Sequence, residues 1–227
     1  MFFWYDTSFL LLIPAMLLAV YAQNKVASTY SRYAQRETAA GIPGSRVARE
    51  LLDNSGLSHV GVEMTEGRLT DHYDPKKKVV RLSRDNYTRA SVAAVSIAAH
   101  EVGHAAQHAG AYAPLALRNG LVPVVNLTST LAWPLFFIGL ILYSPMLVDL
   151  GIWMFVGAVA FQVITLPVEF NASSRAVALL EQGGYLQPPE IGAARQMLGA
   201  AALTYVAAMA VAVSHLLRML VLRGRRR

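Results

Sequence analysis

The chain has 227 residues and a net charge of +6, and 55% of its residues are apolar while only 15% are charged, against roughly 25% in soluble domains. This composition excludes an intrinsically disordered chain and argues against a purely soluble domain. Cysteine is absent, which excludes disulfides, thiolate ligands and a cysteine nucleophile, so any bound metal must take nitrogen and oxygen ligands.

The first apolar run, within residues 1–22, predicts an N-terminal transmembrane anchor. Trp4 and Tyr5 near its start are typical of an aromatic belt at a membrane interface. No basic stretch precedes the run, as a signal peptide would require, so we interpret it as an uncleaved helix.

Later apolar runs predict three further membrane spans. Residues 121–166 contain one charged residue, Asp149, and Ser144-Pro145 divides them into two spans of about 20 residues, the length that a bilayer requires. A fourth transmembrane helix with a basic tail is predicted over residues 197–227.

Residues 23–120 have an ordinary soluble composition and predict a small α+β region. Apolar residues at helical spacing predict a helix over 47–52, and alternation predicts strands over 60–64 and 79–82. The alanine-rich stretch 91–109 predicts a further helix, ended by the glycine that follows it.

The distribution of basic residues predicts which side of the membrane this region occupies. Fifteen of the twenty lie in 23–120 or 167–196, and five follow the last span. The positive-inside rule therefore predicts a cytoplasmic soluble region and an integral, multi-pass inner-membrane protein. The C-terminal arginines then lie on the unexpected side, so either the rule fails locally or the last helix is shallow or re-entrant. We expect no nucleic-acid partner, because the basic tail lacks interleaved aromatic residues.

The segment His100-Glu101-Val102-Gly103-His104 carries the chemical signal of the chain. On an α-helix His100 and His104 share one face, about 6 Å apart, so both imidazoles can reach one Zn²⁺. Glu101 points to the side of that metal, where it can take a proton from water as the catalytic base. We therefore expect one Zn²⁺ per chain.

Two residues compete as the third zinc ligand. His108 continues the histidine series, but on a continuous helix it lies about 12 Å from His100 along the axis, so a polar role at the helix end fits it better. Glu169 is the better candidate, because Pro167 predicts the start of a new helix over 167–196 that would present it. Stabilisation of that helix N-terminus is the alternative interpretation of Glu169.

These motifs occur together in one known family. The chain resembles the neutral zinc metallopeptidase family of bacterial membrane proteins over nearly its whole length, on the blocks 69–75, 80–83, 91–94, 99–104 and 166–170. The resemblance implies a membrane-bound zinc peptidase with His100 and His104 as ligands and Glu101 as catalytic base. The wider gluzincin pattern, in which a glutamate on a later helix completes the site, supports Glu169.

The chain departs from related membrane peptidases beside the third ligand. Those related to the heat-shock group carry an aspartate four residues after the glutamate, as a partner of a ligand histidine, and here that position is Ser173. Asn171 also stands where an acid is expected. Neither position therefore carries the acid that orients a ligand histidine in those relatives.

Two other segments of the soluble region give weaker indications of function: the residues between the two predicted strands, and the second of those strands. His72 and Tyr73, which we place in a turn, could stabilise a substrate oxyanion, or the turn could be purely structural. The strand over 79–82 could be an edge that a bound peptide joins, or an ordinary strand beneath the zinc helix.

We expect a mainly α, multi-span helical membrane protein with a small zincin-like α+β cytoplasmic portion. Its predicted function is zinc metalloendopeptidase, acting on peptides or membrane proteins at the lipid bilayer. A catalytically inactive zinc-binding membrane adaptor is the alternative. A channel or transporter fits less well, because the spans contain few polar residues beyond Asn126 and Gln162.

Overall fold

The computed structural model describes residues 7–224, and in them the chain is mainly α-helical with one small sheet. The helices are α1 (Ile13–Ala34, preceded by a 3-10 turn over Thr7–Leu12), α2 (Gly44–Asn54), α3 (Arg84–Thr88), α4 (Val92–Ala109), α5 (Ala113–Ile141), α6 (Pro145–Gln182) and α7 (Pro188–Gly224). The strands are β1 (Gly61–Thr65), β2 (His72–Asp74) and β3 (Val79–Ser83). The predicted aromatic belt at Trp4 and Tyr5 and the last three arginines lie outside the described residues.

Within residues 7–224, four helices are long and apolar enough to cross a membrane: Thr7–Ala34, α5, α6 and α7. The predicted break at Ser144-Pro145 separates α5 from α6, since proline lacks the backbone N–H that would continue the first helix. The predicted fold class, a mainly α membrane protein with a small α+β portion, is confirmed.

The chain divides into two compact units. Of the described residues, the first unit, here called the membrane unit, contains 7–23, Leu117–Pro167 and 203–224. The second, here called the α/β unit, contains Asn24–Ala116 and Val168–Ala202.

An apolar cluster and one ion pair join the helices of the membrane unit. Phe136 of α5 and Met219 of α7 are fully buried in a cluster with Ile152 of α6. Arg223 makes two contacts with Asp149, at 2.7 and 2.8 Å, the two-pronged geometry that guanidinium and carboxylate groups favour. The end of α7 therefore lies beside the start of α6.

The core of the α/β unit is built from α2, α4, β3 and the last turns of α6. Leu51 and Leu52 of α2 pack with Leu82 of β3 and Leu180 of α6, all at most 2% exposed. Helix α4 begins at the cap residue Ser91, whose hydroxyl accepts a hydrogen bond from the backbone N–H of Ala94. Burial on several sides explains why α4 is almost wholly apolar outside its histidine motif.

Strand β3 is the centre of the sheet, whose order is β1-β3-β2. It pairs in parallel with β1 and antiparallel with β2. The interpretation of residues 79–82 as an edge for a peptide is therefore wrong, because both sides of β3 are already hydrogen-bonded. The placement of His72 and Tyr73 in a turn is also wrong, since they form β2, while the turn that follows them lies at Pro75–Lys78.

Helix α6 runs through Pro167 without a break, so the prediction of a new helix starting at this proline is wrong. Val168, Ala172, Ala176 and Leu180 follow at intervals of four residues, and all are 0% exposed. This stripe packs on the α/β core and holds the helical path, even though proline cannot donate the hydrogen bond of its own turn.

Glu190 joins the start of α7 to the segment that follows α1. Its side chain is 6% exposed and accepts hydrogen bonds from the backbone N–H groups of Ala39 and Gln187, both at 2.8 Å. A hydrogen bond to a charged group is worth about 1.5–3 kcal/mol, so this carboxylate contributes to the stability of the α/β unit.

We predict that Glu190→Ala lowers the unfolding temperature of the detergent-purified protein by several degrees, since it removes two such bonds. Glu190→Gln keeps one acceptor oxygen and should have a smaller effect. Glu181→Ala is the matched control, because Glu181 is exposed and contacts only Arg195, at 3.6 Å. Equal unfolding temperatures for Glu190→Ala and Glu181→Ala would contradict this role.

Candidate metal centre

Helices α4 and α6 bring three metal-binding side chains together inside the α/β unit. His100 and His104 lie one helical turn apart, with ring centroids 4.7 Å from each other. Glu169 Oε2 lies 3.4 Å from His100 Nε2 and 3.6 Å from His104 Nε2. One ligand atom from each residue lies within 4.8 Å of the other two, so one ion could contact all three.

Gly103 allows the two helices to approach this closely. A Cβ atom at Gly103 would lie 2.6 Å from the backbone oxygen of Ala172, a distance that real Cβ atoms do not tolerate. Gly103 stands directly before His104, and Ala172 stands three residues after Glu169. The backbone contact is therefore located where the candidate ligands of α4 meet the candidate ligand of α6.

The spacing and chemistry of these atoms fit a zinc ion. Bonds of 2.0–2.2 Å in a tetrahedral site place neighbouring ligand atoms about 3.4 Å apart, close to the separations of Glu169 Oε2 from the two histidine nitrogens. Burial alone would lower the pKa of His104, but the Glu169 and Glu101 carboxylates outweigh it and raise that pKa. The site therefore favours a positive charge, as a cation site must.

Glu101 lies beside the first histidine and is 7% exposed. Burial raises the pKa of its carboxyl group above the ordinary value, and the neighbouring His100 and His104 only partly oppose this rise. A carboxylate with a raised pKa is a better proton acceptor than an exposed glutamate.

The second nitrogen of each histidine has a polar partner. Ser173 Oγ lies 3.2 Å from His100 Nδ1, so the residue that replaces the expected acid still contacts a ligand ring. Gln107 Oε1 lies 3.0 Å from His104 Nδ1. Gln107 was not predicted from the sequence, although a polar residue three positions after a candidate ligand on the same helix is the signal that could have revealed it.

His108 belongs to a different contact. Its Nδ1 lies 2.9 Å from the hydroxyl of Tyr73. The metal group found in the described part of the chain consists of His100, His104 and Glu169, and His108 is not a member of it. Burial and the nearby Asp74 raise the pKa of Tyr73. β2 therefore lies against the last turn of α4.

His72 is held by contacts within the sheet region. Its Nδ1 lies 2.8 Å from the backbone oxygen of Thr70, and Arg81 lies 3.5 Å from its Nε2. Asp71 beside it accepts hydrogen bonds from the backbone and hydroxyl of Ser83. These contacts agree with a structural role for this segment.

Comparisons with known proteins decide the family. The chain matches the family described as "Putative neutral zinc metallopeptidase" over residues 8–224. The chain belongs to this family. It is also 48% identical over 217 residues to the Bacillus subtilis (strain 168) protein named "Putative membrane protease YugP", covering 95% of this chain and 96% of that protein. No solved structure matches the chain.

Family membership confirms the resemblance found in the sequence. Together with the four apolar helices, the membrane-protease relative identifies the chain as an integral membrane protein of this zinc metallopeptidase family. The family implies zinc, and the group formed by His100, His104 and Glu169 is a candidate site for it.

We predict that Gly103→Ala lowers zinc affinity at least tenfold, because the added Cβ forces α4 away from Ala172 and separates the histidines from Glu169. Competition with a chromophoric chelator measures this change. Gly199→Ala is the matched control, since a Cβ at Gly199 of α7 meets nothing within 4 Å. Unchanged zinc affinity in Gly103→Ala would show that the helix contact does not set the site.

Proposed function

We propose that this family member is a zinc metalloendopeptidase, with one Zn²⁺ held by His100, His104 and Glu169 and with Glu101 as general base. The observation that carries the proposal is the convergence of the three ligand atoms within 4.8 Å on two packed helices. Two imidazoles and one carboxylate form one of the ligand sets found in catalytic zinc sites, which keep a fourth position open.

The proposed reaction is hydrolysis of a peptide bond. When bound, zinc supplies a Lewis acid that polarises a carbonyl and lowers the pKa of water to about 7. Glu101 accepts a proton from the attacking water and delivers it to the leaving amine as the C–N bond breaks. Because Glu101 is buried beside His100, its carboxylate meets little competing solvent.

The alternative, a zinc-binding membrane adaptor without activity, depends on the missing acid near Glu169. The contacts of Ser173 and Gln107 with the ligand histidines weaken that argument, because both rings have orienting partners. A purely structural site also has no need of a buried carboxylate such as Glu101.

The proposal places the α/β unit in the cytoplasm and makes the protein multi-pass. Thirteen of the twenty basic residues lie in 23–120, as the positive-inside rule requires of a cytoplasmic segment. The contact of Arg223 with Asp149 supports a full crossing by α7, because the end of α7 lies at the start of α6. The basic tail is then a local exception to the rule, with one of its charges neutralised by Asp149.

The proposed substrates are membrane proteins or peptide segments close to the lipid bilayer. Only three residues, 110–112, separate α4 from α5, one of the four helices able to cross a membrane. Glu169 lies on α6, which is itself another of these four helices. The chain thus connects the metal ligands to apolar helices without a long linker.

Zinc content and peptidase activity should respond differently in three variants. Glu101→Gln should keep near-stoichiometric zinc and lose almost all hydrolysis, because it removes the proton acceptor and leaves the ligands. Glu169→Ala should lose peptidase activity, and its affinity for zinc should fall at least tenfold. His108→Ala should keep its zinc, since its imidazole is held by Tyr73.

Metal analysis of the three proteins, purified side by side in detergent, checks these expectations together with a general peptidase assay with and without chelator. Loss of zinc in His108→Ala with retention in Glu169→Ala would contradict the ligand assignment. Full activity in Glu101→Gln would contradict its role as general base.

Orientation can be measured by cysteine labelling, because the natural chain contains no cysteine. Lys77→Cys, in the turn before β3, should react with a membrane-impermeant maleimide only after the cells are permeabilised. Tyr143→Cys, between α5 and α6 and 79% exposed, should react in intact cells. Labelling of Lys77→Cys in intact cells would contradict the cytoplasmic orientation.

A further inference from the structure

Gln107 is a fully buried polar residue whose amide lies between His104 and α6. Its Oε1 lies 3.0 Å from His104 Nδ1, and its Nε2 donates to the backbone oxygen of Val168 at 2.8 Å and to Asn171 Oδ1 at 3.0 Å. Burial of an amide is costly unless its hydrogen bonds are made, and here both ends of the amide are bonded. Gln107 therefore needs the hydrogen bonds to His104, Val168 and Asn171 in order to be buried at this position.

The partners of Gln107 determine which way its amide points. The backbone oxygen of Val168 can only accept a hydrogen bond. Asn171 Oδ1 also receives a hydrogen bond from Arg175 Nε at 2.8 Å, and because a guanidinium only donates, Asn171 must present its oxygen on this side. The NH₂ group of Gln107 therefore faces α6, and its carbonyl oxygen faces His104.

This orientation selects one tautomer of His104. Gln107 Oε1 can only accept, so His104 must carry a proton on Nδ1, which leaves the lone pair of the neutral ring on Nε2. Nε2 is the atom that lies 3.6 Å from Glu169 Oε2 in the metal group. His100 is less constrained, because the Ser173 hydroxyl beside its Nδ1 can either donate or accept.

We propose that Gln107, fixed by Asn171 and Arg175, is a positioning residue that prepares His104 to bind zinc. A chain of hydrogen bonds that runs from Arg175 through Asn171 and Gln107 reaches His104 without a carboxylate. The inference deepens the proposed function and rests on its ligand assignment. It gives roles to Gln107, Asn171 and Arg175, which are not members of the metal group.

The apparent zinc dissociation constant, measured by chelator competition on the full-length protein in detergent, tests this inference. Gln107→Met has nearly the same size but no acceptor for His104, and it should weaken zinc binding 10- to 100-fold, the range found when the partner of a ligand histidine is lost. Asn171→Leu should weaken binding in the same direction but to a smaller extent, because the Gln107 amide then keeps only its hydrogen bond to the backbone oxygen of Val168. Ser173→Ala should have a smaller effect than Gln107→Met.

Two further variants separate positioning from simple stability. Asn171→Asp keeps an oxygen that accepts from both Gln107 and Arg175, so it should retain wild-type zinc affinity where Asn171→Leu does not. Ser96→Ala is the matched control, since Ser96 is buried on the same helix but bonds only the backbone oxygen of Val92. Unfolding temperatures measured in excess chelator should not follow the order of the zinc affinities.

Wild-type zinc affinity in Gln107→Met would overturn the inference, and so would an equal loss in Asn171→Asp and Asn171→Leu. If Gln107→Met fails to fold, the Asn171 pair decides, because Asn171 is only half-buried. A wild-type protein that binds zinc but hydrolyses no peptide would contradict the proposed function instead, since the comparison of zinc affinities requires no activity.

Discussion

The close approach of Gly103 to Ala172 is the constraint on which the candidate metal centre depends. Two histidines on one helix can offer at most two ligands to an ion, so the third must come from an element that approaches α4 within a few ångströms. Side chains larger than hydrogen at position 103 would prevent that approach. Val102 and Ala105 of α4 belong to the same buried apolar cluster as Ala176 and Leu180 of α6, and this shared burial holds the helices together.

This packing has an electrostatic cost that a cation can offset. Glu101, His104 and Glu169 are all less than 10% exposed, although each can carry a charge. Removal of such groups from water is unfavourable unless they are paired or bind a metal. A cluster of this kind inside an otherwise apolar unit is therefore a strong physical argument for a divalent ion, independent of the family to which the chain belongs.

Local patterns in the sequence were sufficient to predict the features that depend on a single element. The spacing of His100 and His104 needs only the helical repeat, and the predicted break at Ser144-Pro145 does separate α5 from α6. The prediction of Glu169 rests on Pro167 as a helix start, which is wrong, yet Glu169 does lie beside both histidines. The predicted ligand roles of these residues nevertheless remain to be measured.

The features that were mispredicted depend on contacts between distant segments. Pro167 normally marks a helix start, but packing of the stripe that follows it keeps α6 continuous. Strand β3 has the same sequence pattern whether it is central or at an edge, because only its pairing with β1 and β2 distinguishes the two. Gln107 is an ordinary helix residue until its partners on α6, 61 and 64 positions away, are known.

X-ray absorption at the zinc edge, on the zinc-loaded protein in detergent, tests the ligand assignment most directly, because it counts the imidazoles bound to the metal. The account predicts four light ligands at about 2.0–2.1 Å, of which two are imidazoles and the others oxygen. Three imidazoles would place a further histidine such as His108 on the metal, and would contradict the assignment of Glu169 as the third ligand.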